Sequence, residues 1–166
     1  MEVTRTYLEM TSPGQLVPPR EAPVAARIER VEHCPPSFYR YLYVEVGRDW
    51  HWVDRLGWDD ETIRAHLGQA SVTLWVLWVS GAPAGWFELK GNDDGSVEID
   101  HFGILPEFRR RGLGKHLLTA AVERGFDSGA GRVWLHTCTL DDPAALPNYV
   151  ARGFRPFKEE SYTVDL

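Results

Sequence analysis

The stretch Ile104-Leu105-Pro106-Glu107-Phe108-Arg109-Arg110-Arg111-Gly112-Leu113-Gly114-Lys115 carries the densest chemistry in the chain. A β-forming segment stops at Pro106, a short basic loop follows, and two glycines open a helix. A helix N-terminus leaves backbone N–H groups unpaired and carries partial positive charge, so it attracts anions. Glycine at 112 and 114 lets an anion approach the backbone without a Cβ in the way. Arg109, Arg110, Arg111 and Lys115 add charge suited to phosphate. The stretch is built to hold a phosphorylated ligand. A Walker loop would need glycine where Arg109 stands and Ser or Thr where His116 stands, and a dinucleotide fingerprint would need glycine at Leu117.

Other groups able to move protons flank this stretch. Glu98, Asp100 and His101 lie on the strand that leads into it, and His136 lies on the strand after its helix. In a regular strand, residues 98 and 100 share a face.

The elements that must position these groups follow from periodicity. Val3 to Met10 alternates as a first strand. Pro13, Pro18, Pro19, Pro23 and Pro35 forbid a long helix in residues 1–35. A proline start and glycine stop predict an aromatic helix over residues 37–47, and Asp59 or Asp60 caps a second over 61–67. Residues 72–79, 84–89 and 96–105 have strand character and turns too short for anything but an antiparallel meander. Residues 112–126 carry an apolar stripe at helical spacing, Leu113, Leu117, Leu118, Ala121 and Val122. A strand over 132–137 follows and is expected to run parallel to its predecessor after the helical crossover. A helical segment from Asp141 towards Arg152 and a last strand over 162–165 complete the order.

At 166 residues, the chain suits one domain (1–166) with a sizeable core. Its net charge of −6 argues against a nucleic-acid or anionic-membrane binder, which would need a basic face. Two cysteines, Cys34 and Cys138, are too few for a disulfide framework or a four-ligand zinc site. No apolar run approaches ~18 residues, and Met1-Glu2-Val3-Thr4-Arg5 lacks a signal pattern. A reduced, cytoplasmic protein without metal is expected, as monomer or homodimer. The spacing of His101, His116, His136 and Cys138 fits no usual ligand pattern.

Arg-x-x-Gly-x-Gly after strand-Pro resembles the pyrophosphate-binding motif of the GNAT superfamily of N-acetyltransferases. Downstream, Asp142-Pro143-Ala144-Ala145 is followed by Tyr149 and by Gly153-Phe154, which resembles the family's second half. Asp142 departs from the family's usual Asn. Pro147 falls inside the expected helix, so that helix should start late or run irregularly through Leu146. The likeness covers residues 72–166 by element order. Residues 1–70 match only as a strand and two helices on the acceptor side.

The resemblance implies an α+β fold: a mixed, mostly antiparallel sheet flanked by helices, with its two central parallel strands splayed apart. It implies acetyl-CoA as co-substrate, held by Phe102, Ile104, Leu105, Arg109, Arg110, Arg111, Gly112, Leu113, Gly114 and Lys115. It implies a base at Glu98 or Asp100, with His136 within reach of the same pocket, and Tyr149 as the acid for the leaving thiolate. Amine acetylation needs such groups, because an alkylammonium of pKa ~10.4 must lose a proton before attack. A backbone N–H on the splayed strand would stabilise the oxyanion. Trp50, Trp52, Trp58, Tyr39, Tyr41 and Tyr43, with Glu45, Asp49, Asp54 and Asp59, suit a wall for a cationic amine with apolar surface. The expected function is transfer of acetyl from acetyl-CoA to the primary amine of a small molecule. A peptide or protein N-terminus or lysine is the alternative acceptor, and a non-catalytic acyl-CoA-binding module the alternative class.

Overall fold

Tight turns at Ser80-Gly81 and Asp94-Gly95 join three strands, β3 (Val72–Val79), β4 (Ala82–Gly91) and β5 (Ser96–Ile104). They form the expected antiparallel meander in a computed structural model that describes residues 1–21, 23 and 25–166. The other elements are β1 (Glu2–Met10), β2 (Ala26–Arg30), α1 (Pro36–Gly47), α2 (Asp60–Leu67), α3 (Leu113–Asp127), β6 (Arg132–Cys138), α4 (Ala145–Ala151) and β7 (Arg155–Thr163). One sheet runs in the order β2-β3-β4-β5-β6-β1-β7, and among the described residues only β5 and β6 pair in parallel. Its mixed, mostly antiparallel character agrees with the sequence.

Each face of the sheet buries its own apolar set. One is closed by the stripe of α3, where Leu117, Leu118, Ala121 and Val122 meet Phe87, Leu89 and Leu135, with Tyr149 and Phe154 at its edge. The other is closed by α1 and α2, where Tyr39, Leu42, Val46 and Ile63 meet Val76 and Trp86. Asp59 caps α2 by accepting from the Thr62 N–H.

Two segments differ from the sequence reading. Ala26–Arg30 adds an edge strand on β3, so residues 1–70 hold two strands rather than one. The last strand starts at Arg155 instead of 162 and pairs along β1. Both are edge strands with charged, exposed residues, so neither shows a clear apolar alternation. Pro147 proves harmless: α4 begins at Ala145, and Pro147 sits in its first turn, where an N–H has no helical partner to lose. Among the described residues, no helix is long and apolar enough to cross a membrane.

Candidate active site

The β5–β6 ladder is only three pairs long, from Ser96 opposite Arg132 to Glu98 opposite Trp134. Beyond it the two strands part, and a cavity of about 710 Å³ opens between them. The Leu105 N–H donates to Ala84 O at 2.8 Å, towards β4. By strand alternation, the backbone groups of Phe102 and Ile104 therefore turn the other way, into the gap.

At one end of the cavity stands the N-terminus of α3. Its capping residue is Gly112, at φ +73°, which offers no side chain to the first-turn amides. Arg110, at φ +63°, is also left-handed, so the loop turns successive N–H groups inward as an anion nest. A Cβ on Gly114 would stand 3.7 Å from Asn148 Nδ2, a gap that glycine leaves open. This cradle fits a pyrophosphate. Arg110, Gly112, Leu113, Gly114 and Lys115 line the cavity, as do Phe102 and Ile104. Arg109 lines it too, but its guanidinium is engaged by Asp49 (2.9 Å) and Ile104 O (3.3 Å) and lies over Trp50. It ties the motif loop to the segment after α1. Arg111 packs over Phe108 on the surface, and Leu105 is buried in the core beneath α1.

The catalytic candidates gather where β5 and β6 part. The pairing of β4 with β5 slips between Glu88 and Leu89: Glu88 faces His101, Leu89 faces Ile99, and Asp100 is left over as a bulge. Residues 98 and 100 keep a common face, and the bulge brings His101 onto it as well. Asp100 and His101 line the cavity. Glu98 sits behind them, mostly buried, with His136 Nε2 at 4.0 Å and Lys90 opposite on β4. Burial and the nearby Asp100 carboxylate push the Glu98 carboxyl up to about 7. His101 is held down to about 4, chiefly by burial and secondarily by Arg55.

A cation that sequence reasoning missed organises this group. Arg55, in the loop between α1 and α2, reaches Asp100 Oδ2 at 2.8 Å and both Glu88 oxygens at 2.9 and 3.0 Å. Glu88 is fully buried and also accepts from Tyr39 Oη (2.8 Å) and contacts His66 Nε2 (2.9 Å). Glu88, Asp100 and His101 have ligand atoms within 4.8 Å of one another, a metal-like cluster. The guanidinium already supplies the positive charge between the two carboxylates. The one sequence signal was Glu88 itself, an acid inside the apolar run Trp86-Phe87-Glu88-Leu89, which needs a buried partner.

Tyr149 is buried against Phe102 (ring centroids 6.1 Å apart) and Phe154, and it lines the cavity. Desolvation, reinforced by Asp141 and Asp142, holds its phenol well above the ordinary range. Of the expected aromatic wall, Tyr43, Trp50 and Trp52 line the cavity, while Tyr39 and Trp58 pack on the Arg55 cluster and Tyr41 is exposed. Among the four acids expected there, only Asp54 lines the cavity; Glu45 pairs with Arg48, Asp49 with Arg109, and Asp59 caps α2.

Residues 37–154 match the model of the acetyltransferase (GNAT) family. The chain belongs to that family. Its α+β sheet, with the parallel pair splayed apart, is the one the resemblance implied. A curated relative, mycothiol acetyltransferase of Corynebacterium aurimucosum, is 30% identical over 93% of this chain and 58% of its own length. The chain therefore spans little more than half of that relative. Among solved structures, a GCN5-related N-acetyltransferase from Kribbella flavida superimposes with a TM-score of 0.66 at 23% identity, over 92% of this chain and 54% of that one. An aminoglycoside acetyltransferase from an uncultured soil metagenomic sample gives 0.61 at 19%, over 77% of this chain and 88% of that one. At these identities the structures speak for the GNAT fold alone.

Proposed function

We propose that the chain acetylates the primary amine of a small molecule with acetyl-CoA by direct attack through a tetrahedral intermediate. The observation that carries this reading is continuity. A single cavity runs from the α3 amide nest, along the free edge of β5, to the Asp100 carboxylate and the Tyr43–Trp52 wall. Pyrophosphate belongs on residues 110–115, and the pantetheine amides on Phe102 and Ile104 as an added strand. Asp100 meets the acceptor, Glu98 takes its proton through Asp100 or a water, and Tyr149 faces the departing sulfur. Asp54 and the aromatic wall suit an amine with apolar surface. The name of the curated relative, mycothiol acetyltransferase, is in keeping with a small-molecule acceptor. Free thiols at Cys34 and Cys138 suit a reducing cytoplasm.

The experiment is thiol release from acetyl-CoA across polyamines, arylalkylamines, amino acids and peptides. Turnover confined to small amines supports the reading. Turnover confined to peptides moves the acceptor to a protein amine, and none with any acceptor favours a binding module.

A further inference from the structure

Two carboxylates on one strand face, two positions apart, resist being ionised together unless a cation separates their fates. Here that cation hydrogen-bonds Asp100, while its charge acts on Glu98 only from a distance. Arg55 Nη2 holds Asp100 at 2.8 Å, while Glu98 faces Lys90 from β4, His136 from β6 and Asp100 on its own strand. The guanidinium itself has little freedom. Both Glu88 oxygens hold Nη1, the plane lies 4.7 Å over Trp58, and the Arg55 backbone N–H donates to Tyr43 Oη at 3.1 Å. Its side chain is only 11% exposed. Behind it, Tyr39 and His66 fix Glu88.

We propose that Arg55 is a positioning residue that divides the work of the carboxylate pair: it holds the Asp100 carboxylate in place to meet the acceptor's ammonium, and leaves Glu98 as the proton store behind it. The proposal rests on the acetyl-transfer reading. An acceptor R–NH3⁺ docks on Asp100, and one N–H proton passes to the Glu98 carboxylate. The neutral nitrogen forms its bond to the thioester carbon, and the C–S bond breaks. The second departing N–H proton balances the thiolate as a thiol, and Glu98 returns its proton to solvent.

The arrangement makes opposite predictions for its two ends. In Asp100→Asn the like charge beside Glu98 is gone, so Glu98 titrates lower, by about one pH unit or more. In Arg55→Lys the ammonium cannot span Glu88 and Asp100 together, so the Asp100 charge acts on Glu98 without its fixed counter-charge and the Glu98 titration moves up by about one pH unit. Both variants weaken the acceptor contact, raising KM for amine about tenfold with the acetyl-CoA KM little changed.

The test is a carboxyl ¹³C NMR titration of the whole chain, with the Glu98 resonance assigned by its loss in Glu98→Gln, beside thiol-release kinetics with the best amine of the panel. Opposite shifts in Asp100→Asn and Arg55→Lys support the division of roles. A folded Arg55→Lys chain whose Glu98 titrates at the wild-type position overturns it. Should Arg55→Lys fail to fold, a Glu98 titration unmoved in Asp100→Asn overturns it equally. Full activity in Glu98→Gln, with the expected shifts in the other two variants, also overturns it, because Glu98 then stores no proton; failure of the acetyl-transfer reading shows separately, as no turnover of any acceptor by the wild type.

Discussion

The imidazole of His101 lies flat on the indole of Trp86, with ring centroids 5.7 Å apart and planes within 4°. Its Nδ1 is buried without a hydrogen-bond partner. The ring is thus an apolar plate in the native chain, and protonation would place a charge there beside Arg55.

Acid should therefore weaken the fold earlier than carboxylates alone would. Unfolded, His101 takes up a proton near pH 6.5, whereas the folded ring resists until about 4. With the folded value below the unfolded one, its stabilising share is complete above pH ~6.5 and is lost progressively down to about 4. The span is worth up to about 3 kcal/mol. Urea midpoints measured from pH 7.5 to 4 should fall in the wild type, and less steeply in His101→Phe, which keeps the stack and cannot charge. Parallel slopes for the two would show that His101 does not contribute.

Gly114 offers the clean probe of the anion nest. Gly112 sits at φ +73°, where any side chain is strained, so a substitution there confounds binding with folding. Gly114 is within α3, and a Cβ on it makes only ordinary contacts with Asn148 and Ile104. Gly114→Ala should keep or raise Tm, by roughly the 0.5–1 kcal/mol that alanine gains over glycine in a helix. Calorimetry should show coenzyme A binding weakened about tenfold or more, because the methyl enters the pyrophosphate gap. An unchanged Kd would remove the phosphates from this loop.

For Tyr149, the informative change is Tyr149→Phe. The ring packs between Phe102 and Phe154, so the phenylalanine variant retains this contact. An acid role predicts a kcat lowered about tenfold or more, with Tm and coenzyme A affinity close to wild type. Burial raises the phenol, which makes proton donation to a thiolate of pKa ~8.5 more uphill, so the loss should stay at the modest end. Wild-type turnover would make Tyr149 a packing residue.

Helix α1 approaches β5 closely at Gly103, where a Cβ would fall 2.2 Å from Val46 Cγ1. Gly103→Ala should cost about 1–3 kcal/mol through overpacking. The double variant with Val46→Ala should recover most of it, because the second change removes the clashing methyl. Thermal or urea denaturation of the four-member cycle measures the coupling. Simple additivity would show that the close approach is not what constrains this position.

The meander, α3 and the Arg-x-x-Gly-x-Gly loop were legible because each is local: a period of two, a period near four, a proline and a pair of glycines. Asp100 and Tyr149 were singled out by the resemblance to the family, and both line the cavity. Arg55 was invisible for the opposite reason. It lies in a loop of no periodicity, Asp54-Arg55-Leu56-Gly57, and its partners Glu88 and Asp100 are 33 and 45 residues away. Only tertiary folding brings them together. The bulge at Asp100 leaves no mark on composition, since it only adds one residue to a strand.

The short β5–β6 ladder makes this sheet an incomplete structure by itself. Past Glu98 and Trp134 the two half-sheets share no backbone bonds, and the amide and carbonyl of Phe102 face open space. A pantetheine arm laid there would act as the missing rung between them. Occupancy and cohesion then become one quantity: a co-substrate at a hundred times its Kd would add about 2.7 kcal/mol to global stability by mass action. Slower amide exchange at Phe102 and Ile104, which turn away from β4, would report that occupancy.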